Sequence, residues 1–403
     1  METTMNTATD PATIRRHYFK VLLAIAIGMS LALGIVRFFT YVNNASADTF
    51  LGRVLESRDA LPRIIEQPED LVLFYGSSMV QAGFSPRQFD AAMAERGAQT
   101  KSFNFGFGGL NPLFQEIYAR RIREAFEDND RRLKLALIEF NPFQTTKTRR
   151  NRARSAEDSF TAILASPGEL MQAVIDDPER GLRMLNIRYL RDGVSAEMIT
   201  SFFGEPFQAR RLRSELPRDE EADARAQELG EELGKRFEAE YPDYQGENWR
   251  WQWQGGGTIP EERPADTLAL FEEYYEVTVT DYSQDNDRLS RIHTADIINL
   301  DFDPELVEAF IGIVENFKAI SDNVEVVLLP KNTDWIQNPP EALDRMYAVM
   351  ERIEQETGVR VRDFQEIEPV KNSYFSDTTH LNRYQGAVAF TQFLVDQYAG
   401  LID

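Results

Sequence analysis

The sequence predicts an α/β fold built on an open parallel sheet, preceded by one N-terminal membrane helix. Short apolar runs such as 71–75 (LVLFY) and 133–140 (LKLALIEF) have the length and composition of buried parallel strands. Segments with helix-capping residues alternate with these runs, which is typical of α/β proteins. The uncharged stretch at residues 21–36 has the composition of a membrane span. The chain of 403 residues has room for one large domain with an insertion, or for two domains.

The N-terminal apolar stretch at residues 21–36 predicts a single-pass anchor. As a helix it rises about 24 Å, and the basic and aromatic residues at its ends extend the span. Arg15 and Arg16 precede it, which favours a cytoplasmic N-terminus and an exported main domain. A cleaved signal peptide is the alternative, because Ala45-Ser46-Ala47 fits a small-residue cleavage site. Both interpretations export the rest of the chain.

Composition excludes several classes of function. The net charge of −22 disfavours binding of nucleic acid through its phosphates. The chain has no cysteine, which excludes disulfides, thiol nucleophiles and cysteine metal sites. Only three histidines are present, and their scatter disfavours a zinc site. We therefore expect no metal and no cofactor.

Strands and helices alternate in the first part of the predicted domain. The strand at 71–75 ends at Gly76, and Ser85 with Pro86 begins a helix, because serine caps a helix and proline suits its first position. The elements predicted next are a strand near 102–105, a glycine-rich turn, a helix over about 112–126 and a strand at 133–140.

The middle of the chain breaks this alternation, and the alternation returns after it. Residues 147–295 are rich in charge and helical in composition, and they predict a largely helical insertion or cap. The elements predicted after it are a helix over 304–320 capped by Asp303, a strand at 324–329, a helix over 340–357, a strand at 359–361 and a helix over 383–398. The predicted organisation is a cytoplasmic tail (1–18), an anchor (19–41), a stalk with a short helical stretch (42–66), the first part of the α/β domain (67–146), the insertion (147–295) and the second part of the domain (296–403).

Asp377 stands three residues before His380, in the run SDTTH. A carboxylate at this spacing can fix the tautomer of a histidine and stabilise its cation, as a hydrolase triad requires. His17 precedes the predicted span and should lie on the other side of the membrane, and His293 has no carboxylate at a comparable spacing. The alternative is a buried, hydrogen-bonded histidine near the chain end.

Polar groups follow three of the predicted strands. The turn GSS at 76–78 can expose a serine hydroxyl and aim helix N–H groups at the same spot. The glycines after Asn104, Gly106 among them, let the backbone approach a ligand, and the amide of Asn141 can donate to an oxyanion. The alternatives are a serine N-cap, an ordinary tight turn and an Asn-Pro turn. In an open α/β sheet the ligand site lies beyond the carboxyl ends of the strands, where all three segments are expected.

In this order, these segments resemble the four blocks of the SGNH (GDSL-like) hydrolase superfamily, over roughly 70–145 and 296–400. The resemblance implies a flavodoxin-like three-layer α/β/α sandwich with a parallel sheet. It also implies that Ser78 is the nucleophile, His380 the base and Asp377 the group that orients the base. The implied oxyanion hole consists of the N–H groups of Ser78 and Gly106 and the side chain of Asn141.

The match has two departures. The usual Gly-Asp-Ser is Gly-Ser-Ser here, so Ser77 replaces an aspartate next to the reaction centre and becomes a candidate for substrate contact. The usual Gly-x-Asn-Asp is Glu139-Phe140-Asn141-Pro142. The Gly-Ser-Ser turn, the anchor and the phrase DTTHLN look most like the membrane-anchored, exported branches similar to D-alanyl-transfer and alginate O-acetylation proteins.

The resemblance implies a serine esterase or O-acyltransferase of the bacterial inner membrane, with its catalytic domain in the periplasm. Its substrate would be the acyl esters, acetyl above all, of a cell-envelope or secreted polysaccharide. A multi-pass membrane acyltransferase is an expected partner. The alternative is a catalytically silent protein of the same fold that binds glycan or assists such an acyltransferase.

The insertion offers further candidates for substrate binding. Trp249, Trp251 and Trp253 alternate, so on a strand they face one way. They predict either a sugar-stacking platform or the packing face of a hairpin. Arg149 and Arg150 belong to a basic run that either attracts an anionic polymer or pairs with acidic residues of the insertion.

Overall fold

The structure is a computed structural model that describes residues 11–44, 50–153, 157–188, 220–243, 257–259, 263–277 and 297–402. The chain divides into two compact units. One unit comprises Met1–Ala47 with Ala165–Ala209, and the other comprises Asp48–Leu164 with Arg210–Asp403. The predicted tryptophan platform lies outside the described residues.

The strands are β1 (Asp70–Ser77), β2 (Thr100–Phe107), β3 (Leu133–Glu139), β4 (Ser321–Leu328) and β5 (Val361–Asp363). The helices of the described residues are α1 (Pro11–Asn44), α2 (Phe50–Ile65), α3 (Ser78–Gly83), α4 (Pro86–Glu95), α5 (Pro112–Asp128), α6 (Lys147–Ala153), α7 (Glu157–Leu164), α8 (Pro167–Asp176), α9 (Pro178–Asn186), α10 (Glu220–Glu240), α11 (Ala265–Tyr275), α12 (Pro304–Ile320), α13 (Pro340–Thr357) and α14 (Gly386–Tyr398).

The N-terminal helix α1 is 34 residues long and contains the predicted anchor. Its segment Arg15–Ile35 is long and apolar enough to cross a membrane by its length and composition. Helices α8 and α9 belong to the same compact unit. They pack so closely that a Cβ at Gly181 would lie 2.6 Å from the carbonyl carbon of Ala173.

All five strands are parallel and form one sheet in the order β2-β1-β3-β4-β5. The predicted α/β class with a parallel sheet is therefore confirmed. The central strand β1 pairs with β2 and β3 on its two sides. Since parallel strands end at the same edge of a sheet, the segments after β1, β2 and β3 meet at that edge.

Helices cover both faces of the sheet. Adjacent residues of a strand point to opposite faces, so the contacts of Phe74 and Tyr75 show what covers each face. Phe74 packs edge-on against Phe84, at the end of α3, with ring centroids 5.4 Å apart. Tyr75 packs against Phe317 of α12 at 5.0 Å, and its hydroxyl donates to the carbonyl of Gln115 in α5. The sheet is thus buried between two groups of helices.

Residues 50–65 lie in the predicted stalk, where a short helical stretch is expected, and they form helix α2 of the α/β unit. Val54 of α2 is fully buried, and the hydroxyls of Ser57 and Tyr118 lie 2.6 Å apart. The guanidinium of Arg53 donates through Nε to the carbonyl of Gly106 on β2, at 2.6 Å. Because β2 is an edge strand, α2 covers an edge that would otherwise present unpaired carbonyls.

The described part of the insertion is helical. Helices α10 and α11 pack together through a small core that contains Leu229, Leu233, Leu270 and Phe271. The hydroxyl of Tyr275 accepts from Asn332 Nδ2 at 2.9 Å and donates to Asp334 Oδ2 at 3.0 Å, in the loop after β4. The helix pair is therefore attached to the carboxyl edge of the sheet.

Candidate active site

The turn from β1 into α3 carries the first part of the site. Ser77 ends the strand, and its Oγ accepts the N–H of Met79 at 3.2 Å, so it caps α3. A Cβ at Gly76 would lie 2.7 Å from the Cβ of Glu139, so only glycine fits there. Ser78 is the first residue of α3 and points its side chain into a cleft.

Three predicted residues form one continuous hydrogen-bonded chain. His380 Nε2 lies 2.7 Å from Ser78 Oγ, and His380 Nδ1 lies 2.7 Å from Asp377 Oδ2. The other oxygen of Asp377 accepts the backbone N–H groups of Thr379 and His380, both at 2.7 Å. These backbone bonds hold the carboxylate in place, so the short Asp-x-x-His spacing fixes its orientation towards the ring.

The electrostatics of the pair favour an ionised aspartate and a basic histidine. Burial alone would raise the pKa of Asp377, but the hydrogen bond and charge of His380 bring that pKa below its ordinary value. Burial alone would lower the pKa of His380, but the hydrogen bond that it donates to Asp377 and the charges of Asp377 and Glu139 raise that pKa above its ordinary value.

Glu139, at the end of β3, is a member of the site that the sequence patterns did not identify. Its carboxylate is buried and accepts from the N–H of Ser77, from Ser77 Oγ at 3.0 Å and from Asn141 Nδ2 at 3.0 Å. Burial raises its pKa to about 7, against the opposing effect of these bonds. The sequence does carry a signal for Glu139, which is an acidic residue at the end of an apolar strand. An acid at such a buried position needs several hydrogen-bond partners, so it indicates a polar cluster there.

The two other predicted oxyanion donors are bound elsewhere. Gly106 is a buried residue of β2, and its N–H donates to Asn104 Oδ1 at 3.0 Å. Asn141 donates through Nδ2 to Ser77 Oγ at 2.9 Å as well as to Glu139. Gly108 lies beside Ser78, since a Cβ there would lie 3.7 Å from the Cβ of Ser78.

The cleft in front of Ser78 has a volume of about 590 Å³. One wall comes from the insertion helices α10 and α11, and the others come from α2, α3 and the loop that carries the histidine. Its lining includes Arg53, Gln81, Gly230, Gly234, Phe271, Tyr274, Ser373, Asn382, Arg383 and Tyr384.

The predicted substrate contacts Ser77, Arg149 and Arg150 are not among the described residues that line this cleft. Ser77 is fully buried behind Ser78. Arg149 is half-buried on α6, and Arg150 forms an ion pair with Glu305 of α12. The neighbouring Lys147 pairs with Asp301 at 3.0 Å. These ion pairs join the basic run to the second part of the α/β domain.

Across the residues that the structure describes, no group of three or more acidic or histidine side chains is arranged to hold a metal.

The fold and site define an α/β protein with a Ser-His-Asp hydrogen-bonded chain at the carboxyl edge of its sheet. Neither a known family model nor a curated protein matches the sequence.

Proposed function

We propose that this protein is an SGNH-type serine esterase or O-acyltransferase that acts on acyl esters of a cell-envelope polysaccharide. The observation that carries the proposal is the chain Ser78–His380–Asp377, with both heavy-atom separations at 2.7 Å. These distances lie within hydrogen-bond reach of a nucleophile, its base and the group that orients the base. The strand order β2-β1-β3-β4-β5 supports a flavodoxin-like sandwich, in which sites lie at this edge.

The mechanism follows from the positions of the three side chains. His380 Nε2 takes the proton of Ser78 Oγ as that oxygen forms a bond to the ester carbonyl carbon. Asp377 stabilises the imidazolium that results. The tetrahedral intermediate then collapses, its C–O bond to the leaving alcohol breaks, and His380 returns the proton to that alcohol.

The developing oxyanion needs donors near Ser78. Ser78 is the first residue of α3, so its N–H is among those without an acceptor inside the helix. Losing one donor from an oxyanion hole typically costs about 100- to 1000-fold in turnover. In the second half-reaction, water or a sugar hydroxyl attacks the acyl-enzyme, which gives hydrolysis or transfer with the same three residues.

The N-terminal helix supports a location at a membrane. We propose the bacterial inner membrane, with the N-terminus in the cytoplasm and the catalytic domain in the periplasm, because basic residues precede the apolar segment. A multi-pass membrane acyltransferase that supplies acyl groups is the partner this arrangement suits.

One observation favours a second candidate, a catalytically silent glycan-binding protein of the same fold. The N–H of Gly106 and the amide of Asn141 already have acceptors, so neither is free to bind an oxyanion in this arrangement. Labelling with a serine-reactive fluorophosphonate, followed by peptide mass spectrometry, separates the two candidates. We expect the label on Ser78, and its loss in Ser78→Ala and His380→Ala. Absence of labelling in the wild type would favour the silent protein.

A further inference from the structure

Helix α10 presents two glycines to the cleft, Gly230 and Gly234, which lie one turn apart on the same face. Glycine inside a helix is destabilising relative to alanine, because it loses more backbone freedom on folding. Two such residues therefore weaken a helix of 21 residues, and their position needs a reason other than helix stability.

Close packing is not that reason. A Cβ at Gly234 would meet no atom of the described residues within 4 Å. A Cβ at Gly230 would make one ordinary contact, 3.6 Å from a ring carbon of Tyr274. Gly76 differs, because a Cβ there would collide with Glu139. The two glycines of α10 therefore keep space open in the cleft rather than allow two elements to touch.

The walls around that space differ in chemistry. The insertion contributes the aromatic side chains of Phe271 and Tyr274. The α/β part contributes hydrogen-bonding side chains, among them Gln81, Ser373 and Asn382, together with the apolar or aromatic side chains of Leu381 and Tyr384. An aliphatic chain would leave the polar wall without partners, whereas a sugar ring offers C–H faces to one wall and hydroxyls to the other.

The size of the cleft agrees with a ligand of this kind. Its volume of about 590 Å³ lies in the usual range of roughly 300–1,000 Å³ for sites that hold a whole small molecule. An acetyl group on Ser78 would occupy only a small part of it. The rest of the cleft, whose lining includes residues of α10 and α11, is left for the group to which the acyl unit is attached.

We propose that the wall formed by α10 and α11 is a binding site for the sugar ring of the acylated glycan, with Gly230 and Gly234 providing the room for it. The ring packs against the aromatic side chains of α11 and directs its hydroxyls to the opposite wall. The identity of the reaction rests on the proposed function, but the binding of a carbohydrate here does not.

The test introduces a larger side chain into the cleft from helix α10. Gly234→Leu places a side chain in the cleft, Gly234→Ala is the small control, and Lys235→Leu places the same bulk at the exposed neighbouring position. For Gly234→Leu we expect KM for a partly acetylated xylo-oligosaccharide to rise about tenfold or more, while turnover of phenyl acetate changes less than about twofold. Lys235→Leu should behave as the wild type with both esters, and Gly234→Ala, which fills less of the space, should raise KM for the oligosaccharide less than Gly234→Leu does.

A binding measurement separates this proposal from the proposed function. In the Ser78→Ala background, saturation-transfer NMR should detect the unacetylated xylo-oligosaccharide, and Gly234→Leu should remove the signal while Lys235→Leu keeps it. This result would support the sugar site even if the wild type hydrolyses no ester. The proposal is overturned if the oligosaccharide does not bind, or if Gly234→Leu binds it as the wild type does. It is also overturned if Gly234→Leu impairs only a phenyl octanoate substrate, which would assign the space to an acyl chain.

Discussion

The backbone N–H and the side-chain hydroxyl of Ser77 both donate to the carboxylate of Glu139, from the neighbouring strand β3. Under the proposed SGNH assignment, Ser77 takes the place of the usual aspartate. In this protein a carboxylate reaches the same turn from a different strand. The bond connects two strand ends directly behind Ser78, so Glu139 fixes the backbone that presents the Ser78 hydroxyl.

Replacing Glu139 should change the pH dependence of stability. Its pKa rises from 4.5 to about 7 on folding, so the folded state holds this proton more tightly than the unfolded state. The resulting stabilisation is present below pH 4.5 and is lost as the pH rises towards 7, by on the order of 3 kcal/mol. In Glu139→Gln this loss is absent.

The melting temperature of Glu139→Gln, relative to that of the wild type, should therefore rise between pH 4.5 and 7, as measured by circular dichroism. The exposed variant Glu341→Gln is the control, and its difference from the wild type should stay flat. A flat difference for Glu139→Gln as well would contradict the raised pKa.

The two adjacent serines should respond differently to substitution. Ser78→Ala removes the hydroxyl that lies 2.7 Å from His380, and we expect fluorophosphonate labelling and ester turnover to disappear. Ser77→Ala removes a helix cap, which costs about 1 kcal/mol, and one hydrogen bond to the buried Glu139. This variant should keep the labelling at Ser78 and lose stability in urea denaturation. Labelling at Ser77 in the Ser78→Ala protein would contradict the assignment.

Asp377→Asn should move the pH dependence of turnover. His380 acts as a base only when neutral, so activity rises as the pH passes its pKa, which Asp377 raises above 6.5. Without the negative charge that pKa falls, and the rising limb of kcat/KM should move to lower pH. Turnover should also fall by about 10³- to 10⁴-fold, because the amide no longer selects the reactive tautomer. A profile that keeps its midpoint would show that Asp377 does not set the pKa.

The parts of this structure that depend on local sequence were predictable. An uninterrupted apolar run suits a strand that is covered on both faces, so residues 71–75 are predicted to form a buried strand. They lie in β1, which confirms the prediction. The Asp377–His380 pair was also predictable, since three residues of turn are enough to bring the two side chains together.

The parts of the structure that depend on neighbours in space were not predictable from the sequence. The contact between Glu139 and Ser77 exists because β1 and β3 are adjacent in the sheet, although 62 residues separate them in the chain. The direction of the Gly106 N–H depends on which side of β2 that residue faces, and sequence order does not specify it. The packing of α2 was missed for the same reason, because its partners come from β2 and α5.

Arg53 should contribute strongly to stability, although it lies in the predicted stalk. Its guanidinium is 4% exposed and donates to the carbonyls of Gly106 and Asn104 at the edge of β2. Arg53→Met leaves these buried acceptors without their donor, and each costs about 1–3 kcal/mol. We expect a loss of about 2–5 kcal/mol in the free energy of unfolding, measured with urea. Arg58→Met, at a partly exposed position of α2, should cost less than about 0.5 kcal/mol.

Gly106 and Gly108 should tolerate alanine very differently. A Cβ at Gly106 would lie 2.7 Å from the carbonyl oxygen of Ser77 and from the Cα of Gln81, and backbone cannot move aside as a flexible side chain does. A Cβ at Gly108 would lie 3.6 Å from Gln81 Oε1 and 3.7 Å from Ser78 Cβ, which are ordinary contacts.

Gly106→Ala should therefore destabilise the protein by about 3 kcal/mol or more, since it overpacks the turn beneath the nucleophile. Gly108→Ala should melt as the wild type does, but it crowds the space beside Ser78 Oγ and should slow fluorophosphonate labelling. Thermal denaturation and the labelling rate, measured on both variants, separate the two effects. If Gly106→Ala kept the wild-type melting temperature, the close approach of β2 to the turn at Ser77 would be wrong. If Gly108→Ala labelled at the wild-type rate, Gly108 would have no part in the site.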